Sequence, residues 1–516
     1  MSVYIFSLLA GFVFGGVDTA QGYRAGILEN LPYPVKFIFE SLPRREDIIR
    51  YKNIGIKLEQ MLCMHQCFTG NLTVKLCGKT KDKLEELKKC LRCTGIEQHE
   101  NEVRLIRKGA LVASILLDEE NKDYYWGIHY FNRSKLIRTE IYTDGISYTN
   151  YYVTARSDKG AYAKLVRRTF YSKGGEAVYD QIFERNREWY LFPDGRCYTK
   201  QQFLAAFIRK LDLKEKDIII LDRPASYDLL RPIFQFKGMA KLVVIMHSGH
   251  FYEKGEDPYD VYLNKEYYYC FKYSGMINAI VVSTEEQKCE LVERLQEYGC
   301  AVPEIRIIPA GGVDSLKCSE KGRQPYSMLS VSRIHRRKKV EWVIKSVIKA
   351  HKKNPNIFVD IYGEGVDKDY YQYLHNIVSQ NEAQSYVRFM GWTDVTEIYK
   401  NYEVYITASL WETLGLSLME AVASGTAMIG LDAKYGNRLF IQPENNGYLV
   451  EFHTEYVDGD DDKLTDAIAE KIVDIFSDET RLREYHNNSY RIAQTFCTNN
   501  LTDKWEALLN FWTKGN

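Results

Sequence analysis

The hydrophobic periodicity of the chain changes twice, and no other feature of the sequence restricts the fold as strongly. On both sides of a central block, short apolar runs alternate with helical stretches, whereas within residues 72–198 polar and apolar side chains alternate in short runs. The first pattern predicts parallel sheets covered by helices, and the second predicts an antiparallel β-meander. We therefore expect an α/β protein with two Rossmann-like domains and a meander inserted in the first.

The domain limits follow from the same change of pattern. Turn signals such as Thr143-Asp144-Gly145 and Lys173-Gly174-Gly175 separate the predicted strands of the meander, and no set of catalytic side chains occurs among them. We expect this block to bind an acceptor or a partner rather than to react. The predicted limits are 1–71 and 199–320 for the N-terminal domain, 72–198 for the meander, 321–495 for the C-terminal domain and 496–516 for a C-terminal helix.

The chain opens with an apolar strand predicted over 3–9, a turn containing Gly11, Gly15 and Gly16, and a helix predicted over 18–29. This order is typical of nucleotide-binding α/β folds, in which glycine lets the backbone approach a ligand at the helix N-terminus. The first sixteen residues also look like a signal peptide, but no Lys or Arg precedes their apolar run. We interpret the run as a buried strand and expect a cytoplasmic protein.

Charge and cysteine content argue against two classes of function. Lys plus Arg and Asp plus Glu each number 69, so no cationic excess supports nucleic-acid binding. Of the 11 cysteines, only Cys90 and Cys93 form a C-x-x-C pair, and no second pair follows at zinc-finger spacing. Reduced thiols in a cytosolic protein are therefore favoured over a metal or redox site.

The segment from Glu412 to Glu420 carries the densest chemical signal, a pair of glutamates with Gly415 between them. If a helix begins near Gly415, its free N–H groups and positive dipole end would form a phosphate site. Glu420, about one turn further, could then reach sugar or ribose hydroxyls. On spacing alone, the alternative stays open that Glu412 supports the helix N-terminus and Glu420 is a solvated helix residue.

Three other turns of the C-terminal domain directly follow predicted strands. Arg333 and Lys338 follow the strand that ends at Val331, while Gly363-Glu364-Gly365 and Gly391-Trp392-Thr393 follow the next two. Open α/β folds bind ligands at this carboxyl edge of the sheet. The two cations could therefore neutralise a diphosphate as its leaving-group charge develops.

In the N-terminal domain, His247 and His250 come directly after the strand predicted to end at Met246. A single buried histidine is usually satisfied by backbone groups, which gives a purely structural interpretation. The position at the carboxyl edge of a central strand favours ligand contact instead. Both interpretations stay open at this point.

Taken together, these positions resemble the retaining GT-B glycosyltransferases of family 4. The matching elements are the Gly15-Gly16-Val17 turn, Ser332-Arg333 with Lys338, the two turns at Gly363 and Trp392, and the glutamate pair. Within that family, the chain is most similar to the catalytic, GtfA-type subunits of the accessory Sec system. This likeness extends over nearly the full length and includes the segments 16–25, 167–171, 219–223, 435–437 and 446–449.

Two positions depart from the family pattern. Thr413-Leu414 follows the first glutamate, where the family often has Gly-Phe, and Arg337 stands where a glutamate usually precedes the active-site lysine. Neither departure touches Arg333, Lys338 or the two glutamates.

The resemblance implies a GT-B fold, in which two Rossmann-like domains face a cleft. It implies transfer of GlcNAc or glucose from a UDP-sugar to Ser/Thr of unfolded, serine-rich adhesins, with a non-catalytic GtfB-type subunit as partner. It leaves peripheral association with the inner face of the cell membrane open. Two alternatives remain: a wall teichoic acid, or poly(polyol-phosphate), α-glycosyltransferase, and a non-catalytic GT-B chaperone subunit.

The resemblance also implies a role for each matching residue. Arg333 and Lys338 would hold the UDP phosphates, Glu412 and His247 would contact the sugar, and Glu420 would bind the ribose. We expect no metal, because the two cations supply the positive charge. The remaining predicted donor-binding residues are Gly16, Val17, Asp18 and Thr19 near the phosphate, Gly363 in its turn, Trp392 and Thr393 beside the uracil, and the backbone of Thr413, Leu414 and Gly415 along the sugar.

Overall fold

A computed structural model describes residues 1–7, 16–40, 45–70, 78–158, 160–222, 227–253, 261–365, 367–452 and 461–512. Its helices are α1 (Gly16–Glu29), α2 (Arg45–Asn53), α3 (Met64–Thr69), α4 (Thr80–Leu91), α5 (Lys200–Lys210), α6 (Tyr227–Phe236), α7 (Tyr268–Lys272), α8 (Glu285–Glu297), α9 (Val340–Lys353), α10 (Lys368–Gln380), α11 (Leu416–Ala423), α12 (Gly436–Phe440), α13 (Asp462–Ile475), α14 (Glu479–Gln494) and α15 (Thr498–Asn510).

The strands are β1 (Val3–Ser7), β2 (Val35–Phe39), β3 (Met61–Cys63), β4 (Gly95–Gln98), β5 (Glu102–Arg107), β6 (Ala110–Leu117), β7 (Tyr125–Asn132), β8 (Lys135–Thr143), β9 (Gly145–Ser157), β10 (Gly160–Tyr171), β11 (Ala177–Glu184), β12 (Arg187–Leu191), β13 (Cys197–Thr199), β14 (Ile218–Leu221), β15 (Lys241–Ile245), β16 (Phe251–Glu253), β17 (Val261–Leu263), β18 (Ala279–Val282), β19 (Glu304–Ile307), β20 (Gln324–Val331), β21 (Phe358–Tyr362), β22 (Val387–Gly391), β23 (Tyr402–Ile406), β24 (Ala427–Leu431) and β25 (Gly447–Val450).

The chain divides into two compact units, and the first comprises Met1–Leu9, Pro34–Ile219 and Ser226–Lys241. Strands β1, β2 and β3 pair in parallel in this unit. Strands β4 to β13 form a ten-stranded sheet in which spatial order follows chain order and neighbours are antiparallel. The predicted meander is therefore confirmed as an antiparallel sheet. Its first strand follows α4, a helix that we did not predict, and the predicted limit at 71/72 lies at residues outside the described ranges.

A buried aromatic cluster joins this sheet to α3 and α5 within the first unit. His65 of α3 stacks on Phe170 with 4.4 Å between ring centroids, and its Nδ1 lies 2.5 Å from the Tyr179 hydroxyl. Tyr190 stacks on Phe203 of α5 at 4.0 Å. Burial lowers the pKa of His65 to about 3, so this imidazole packs as a neutral ring. Burying each aromatic ring contributes on the order of 2 kcal/mol, so the sheet and the helices stabilise one another.

The second unit comprises Ala10–Tyr33, Ile220–Ala225 and Leu242–Asn516. It contains the parallel strands β15, β18 and β19 and a six-stranded parallel sheet of order β22-β21-β20-β23-β24-β25. Side chains along β24 alternate between its two faces: Ala427, Ile429 and Leu431 join a core with α9, α10 and α13, whereas Met428 joins a core with α11 and α14. This sheet is therefore covered by helices on both faces, as the sequence predicted.

One predicted element of this domain is wrong. The pattern of residues 394–401 predicts a helix, but the structure shows only a short 3₁₀ turn at Tyr399–Asn401. The Asp394 carboxylate accepts hydrogen bonds from both the backbone N–H and the hydroxyl of Thr396, at 3.0 and 2.6 Å. Such local side-chain bonds compete with a helical ladder.

The ends of two N-terminal elements also differ from the prediction. Within the described residues the first strand ends at Ser7, and α1 already begins at Gly16 rather than at Asp18. Gly11 and Gly15 lie outside the described residues. No helix within the described ranges is both long enough and apolar enough to cross a membrane.

Candidate active site

The basic turn after β20 brings one predicted cation onto a predicted carboxylate. Lys338 Nζ forms an ion pair with Glu412 Oε1 and lies 3.4 Å from the Ser409 hydroxyl. Arg333 is exposed and has no hydrogen bond or ion pair with any residue that the structure describes. Of the two predicted cations, Lys338 is therefore held against a carboxylate, whereas Arg333 is available for a ligand.

Gly363 positions this basic turn from the neighbouring strand. Its φ is +145°, and a Cβ at this position would lie 1.8 Å from the Ser332 carbonyl oxygen. The turns are joined by backbone hydrogen bonds, from Ser332 N to Tyr362 O at 3.1 Å and from Ile334 N to Glu364 O at 3.0 Å. Gly363 is thus required for close backbone approach, and its predicted direct contact with a ligand stays a prediction.

The helix α11 begins where the spacing predicted. Gly415 is its N-cap with φ +83°, and Leu416 is its first residue. Glu412 is held three residues earlier by backbone bonds: its N–H donates to Lys434 O at 3.0 Å, and its carbonyl accepts from the N–H groups of Tyr435 and Gly436 at 2.7 Å each. The carboxylate of Glu412 is therefore fixed at the N-terminus of α11, beside free backbone N–H groups.

Glu420 is not a solvated helix residue. The buried Tyr399 hydroxyl donates a hydrogen bond to its Oε2 at 2.9 Å, and Oε1 has no hydrogen-bond partner within the described ranges. Burial raises the pKa of Glu420 to about 7, with a smaller contribution from Asp394. A carboxyl group that is only partly satisfied and titrates near neutrality is available to accept hydrogen bonds from a ligand.

The two predicted base-flanking residues follow β22. The Trp392 side chain is 77% exposed, and Thr393 is exposed as well. An exposed indole directly after a parallel strand is a suitable surface for stacking. Contact of this indole with uracil stays a prediction.

On the N-terminal side, His247 lies beside a buried carboxylate. Its Nε2 is 2.9 Å from Asp222 Oδ1, and 7% of its side chain is exposed. Asp222 also pairs with Arg24 of α1 at 2.5 Å.

The predicted residues Gly16 to Thr19 form the first turn of α1, where Gly16 is exposed and a Cβ on it would meet nothing within 4 Å.

His250 lies in a packed layer. It is fully buried, stacks parallel to Tyr435 with 6.5 Å between ring centroids, and burial lowers its pKa to about 4. The Trp411 indole packs edge-to-face against the Tyr435 ring, with 5.2 Å between the ring centroids. A Cβ on Gly249 would lie 2.5 Å from this indole. Of the two histidines, only His247 retains an exposed fraction, so it is the better candidate for ligand contact.

Sequence reasoning missed the residues that connect these parts. Glu290 of α8 accepts hydrogen bonds from the Tyr435 hydroxyl and from Lys434 Nζ, the latter at 2.9 Å. These partners belong to the segment that holds the backbone of Glu412. The local sequence pattern could not indicate that Glu290 pairs with Tyr435, because these two residues are 145 positions apart. The sequence indicated Asp222 only weakly, as a carboxylate that directly follows the apolar run of β14.

In the described parts of the chain, no three His, Cys, Asp or Glu side chains are grouped so that they could hold a metal ion. The role of Arg333 and Lys338 as the charge stabilisers, without a metal, stays a prediction.

Two family models match the chain. Residues 317–492 match the glycosyl transferases group 1 model, and residues 95–194 match the GtfA extended beta-sheet domain. The first match contains the turns at Arg333, Gly363 and Trp392 and the glutamate pair. Together with the doubly wound sheet, it defines the class of protein: a group 1 glycosyltransferase of GT-B fold.

Comparison with whole proteins narrows this class. The chain is 34% identical over 514 residues to the "UDP-N-acetylglucosamine--peptide N-acetylglucosaminyltransferase GtfA subunit" of Streptococcus pneumoniae serotype 4, with 98% of both chains covered. The subunit of the same name from Streptococcus gordonii is 33% identical over 515 residues, with 99% and 98% covered. The chain therefore belongs to the GtfA family of glycosyltransferases.

Solved structures agree with this assignment. The crystal structure of the pneumococcal O-GlcNAc transferase GtfA in complex with UDP and GlcNAc superimposes with a TM-score of 0.87 at 32% identity, covering 100% of this chain and 99% of that one. A crystal structure of a GtfA/B complex gives 0.87 at 31%, covering 99% of each. Poly(ribitol-phosphate) α-N-acetylglucosaminyltransferase of Staphylococcus aureus is more distant, at 24% identity over 67% of each chain. The predicted fold, family and enzyme class are confirmed.

Proposed function

We propose that this chain is the catalytic subunit that transfers GlcNAc from UDP-GlcNAc to Ser/Thr hydroxyls of a serine-rich polypeptide, with retention of configuration. The observation that carries the proposal is the grouping of Lys338, Glu412 and the N-terminus of α11 at one sheet edge. The names of the relatives and the UDP and GlcNAc bound to the pneumococcal structure support the donor. The GtfA/B complex supports a GtfB-type, non-catalytic partner subunit.

In this proposal the donor phosphates bind between the basic turn and α11. A lysine ammonium has three donors, so Lys338 can keep its bond to Glu412 and still donate to a phosphate oxygen. Arg333 has no partner of its own among the described residues and adds a second, bidentate donor. The N–H groups at the start of α11 contribute further hydrogen bonds and the positive end of the helix dipole.

The two glutamates accept hydrogen bonds from different parts of the donor. Glu412 lies beside the phosphate cation, which suits it to the hydroxyls of the sugar attached to the β-phosphate. Glu420 lies one turn into α11, with Oε1 unpaired, which suits it to the ribose diol. The exposed Trp392 and Thr393 flank the uracil, and Gly16 to Thr19 approach the phosphate from the first turn of α1.

The chemical step is a front-face substitution at the anomeric carbon. The acceptor hydroxyl oxygen forms the new C–O bond on the side from which UDP departs. The bond from that carbon to the β-phosphate oxygen breaks with its electron pair, and this oxygen takes the hydroxyl proton. Arg333 and Lys338 stabilise the charge that develops on the phosphate, an effect that typically contributes about 3 kcal/mol for each donor.

We assign the acceptor or partner to the ten-stranded sheet. A pocket of about 740 Å³ lies at this sheet and is lined by aromatic, arginine and aliphatic side chains. Arg138 lies over the Tyr130 ring and Arg167 over the Tyr151 ring, both at 4.1 Å, and Val153 is 47% exposed. Such a surface suits an extended polypeptide or the edge of a partner's sheet.

We further propose that the reaction takes place in the cytoplasm, ahead of export of the glycosylated adhesin by the accessory Sec system. Peripheral association with the inner face of the membrane is compatible with this role.

The test is a transfer assay with intact-mass detection. The purified chain is incubated with UDP-GlcNAc or UDP-glucose and an unmodified Ser/Thr-rich polypeptide, with and without a GtfB-type subunit. We expect increments of one N-acetylhexosamine residue, which increase when the partner is present. Poly(ribitol phosphate) serves as the competing acceptor. Modification of that polymer alone would replace the proposal by the teichoic acid alternative, and no transfer with the partner present would leave the chaperone alternative.

A further inference from the structure

Two side chains of the second unit, Arg24 and His247, contact the same carboxylate oxygen of Asp222. Arg24 comes from α1, Asp222 directly follows β14, and His247 comes two residues after β15. Asp222 Oδ1 lies 2.5 Å from Arg24 Nη1 and 2.9 Å from His247 Nε2. Neither Arg24 nor Asp222 has more than 2% of its side chain exposed.

The charge state of this group follows from its partners. Burial alone would raise the pKa of Asp222, but the Arg24 guanidinium and the His247 hydrogen bond outweigh it and hold the pKa below its usual range. An ionised carboxylate can only accept hydrogen bonds, so the Nε2 that faces it must carry a hydrogen. Arg24 supplies the charge that compensates this carboxylate.

The second ring nitrogen of His247, Nδ1, is available as a hydrogen-bond acceptor. His247 Nδ1 has no hydrogen-bond partner within the part of the chain that the structure describes. In a neutral imidazole whose Nε2 carries the hydrogen, Nδ1 bears a lone pair and accepts hydrogen bonds. A sugar hydroxyl is a donor of the matching kind.

We propose that the buried Arg24–Asp222 pair is a positioning device that fixes His247 as the Nε2–H tautomer, so that Nδ1 accepts a hydrogen bond from a hydroxyl of the donor sugar. Asp222 then acts on the transfer reaction only through His247. The inference rests on the proposed function, because it takes His247 to be a sugar contact.

The first measurement reads the tautomer directly in the wild-type protein. The intact protein is labelled with ¹⁵N-histidine, and the two ring nitrogens of His247 are assigned by comparison with the His247→Gln variant. A pyrrole-type shift for Nε2 and a pyridine-type shift for Nδ1 are expected. The opposite pattern would overturn the inference whether or not the protein shows transferase activity.

The second measurement is a double-mutant cycle on sugar transfer. Asp222→Asn keeps the size of the side chain but replaces an obligate acceptor by a group that also donates, so the tautomer is no longer fixed. We expect Asp222→Asn and His247→Ala each to lower turnover about tenfold, with the UDP dissociation constant changed less than about twofold. The double variant should be no slower than His247→Ala alone, since both changes remove the same contact.

Asp217→Asn is the matched control. Asp217 is buried at the opposite end of β14, where its carboxylate accepts from the N–H groups of Ser2 and Lys214. Its substitution should lower the thermal midpoint without a selective loss of turnover.

The outcomes separate the two proposals. Wild-type turnover in Asp222→Asn, or losses that multiply in the double variant, would overturn the positioning role and leave the proposed function intact. No transfer by the wild-type protein would refute the proposed function, and the tautomer measurement would then decide the inference alone.

Discussion

The titration of Glu420 predicts how nucleoside binding should depend on pH. Burial raises the pKa of this carboxyl to about 7, and its Oε1 has no partner in the described residues. If Glu420 binds the ribose diol, two hydroxyl groups donate to it, which requires the ionised form. The affinity should therefore increase as the pH rises through 7 and decrease below it. This sign is opposite to that of a site that needs a protonated acid.

The magnitude follows from the ionised fraction. With a pKa of about 7, about one-eleventh of Glu420 is ionised at pH 6 and about ten-elevenths at pH 8. If only the ionised form binds, the dissociation constant should fall about tenfold between these two pH values. Uridine is the correct probe, because it carries the ribose diol and the base but no phosphate group that titrates in the same range.

The assay is calorimetric titration of uridine at several pH values between 6 and 8. Glu420→Gln should bind uridine weakly and with no pH dependence, and 2′-deoxyuridine, which lacks one donor, should lose part of the dependence. Tyr399→Phe removes the hydroxyl that donates to Oε2, so it should move the midpoint of the curve to higher pH. A dissociation constant that is flat from pH 6 to 8, or an equal slope in Glu420→Gln, would refute the assignment of Glu420 to the ribose.

The other predictions concern the residues around the phosphate and the segment that holds Glu412. Arg333→Ala and Lys338→Ala should each reduce turnover at least a hundredfold, about 3 kcal/mol in the barrier, with an unchanged melting curve. Gly363→Ala should lower both the thermal midpoint and turnover, because its Cβ would lie 1.8 Å from a carbonyl oxygen of the basic turn. Tyr435→Phe removes the hydroxyl that donates to Glu290, and Glu290→Gln removes the ion pair with Lys434, so each should raise the KM for the UDP-sugar a few-fold. Because both contacts hold the same segment, the two increases should not multiply in the double variant.

Matched controls exist for these variants. Gly26→Ala lies in α1 with nothing within 4 Å of the added Cβ, so it should be neutral or stabilising by up to about 1 kcal/mol. Glu297→Gln lies on the same helix as Glu290 but pairs only with Arg294 at the surface, and it should leave the KM unchanged. A loss of activity in either control, or near wild-type turnover in folded Arg333→Ala, would contradict the reasoning.

Short apolar runs were sufficient to predict most strands of the parallel sheets. Both faces of these strands are covered, so successive side chains are apolar. The apolar run 427–431, for example, predicts a strand with the same ends as β24, and its successive side chains join the two cores in turn. The prediction missed α6, which contains Pro232, because proline in an apolar run usually ends a helix. It also missed α4, because the polar residues of that helix do not show which face is buried.

The positions of the candidate ligand contacts were predictable for a topological reason. In a parallel sheet, the residues after each strand meet at one edge, so Arg333, Gly363 and Trp392 could be grouped without knowing any contact between them. The pairing of Lys338 with Glu412 was not predictable in the same way, since these residues are 74 positions apart and neither signals the other locally. The same holds for Asp222, whose partners come from α1 and from the segment after β15.

The structure also gives a physical reason for assigning different roles to the two glutamates. Glu412 lies against an ammonium group, so its negative charge is compensated and it can accept hydrogen bonds while its cation faces a phosphate. Among the described residues, the Glu420 carboxyl accepts its one side-chain hydrogen bond from the Tyr399 phenol, and burial of this carboxyl raises its pKa to about 7. Two carboxylates in different environments can perform two different tasks. The motif places Glu412 before a helix N-terminus and Glu420 inside the helix, and their different environments come from Lys338 and Tyr399, which lie outside the motif.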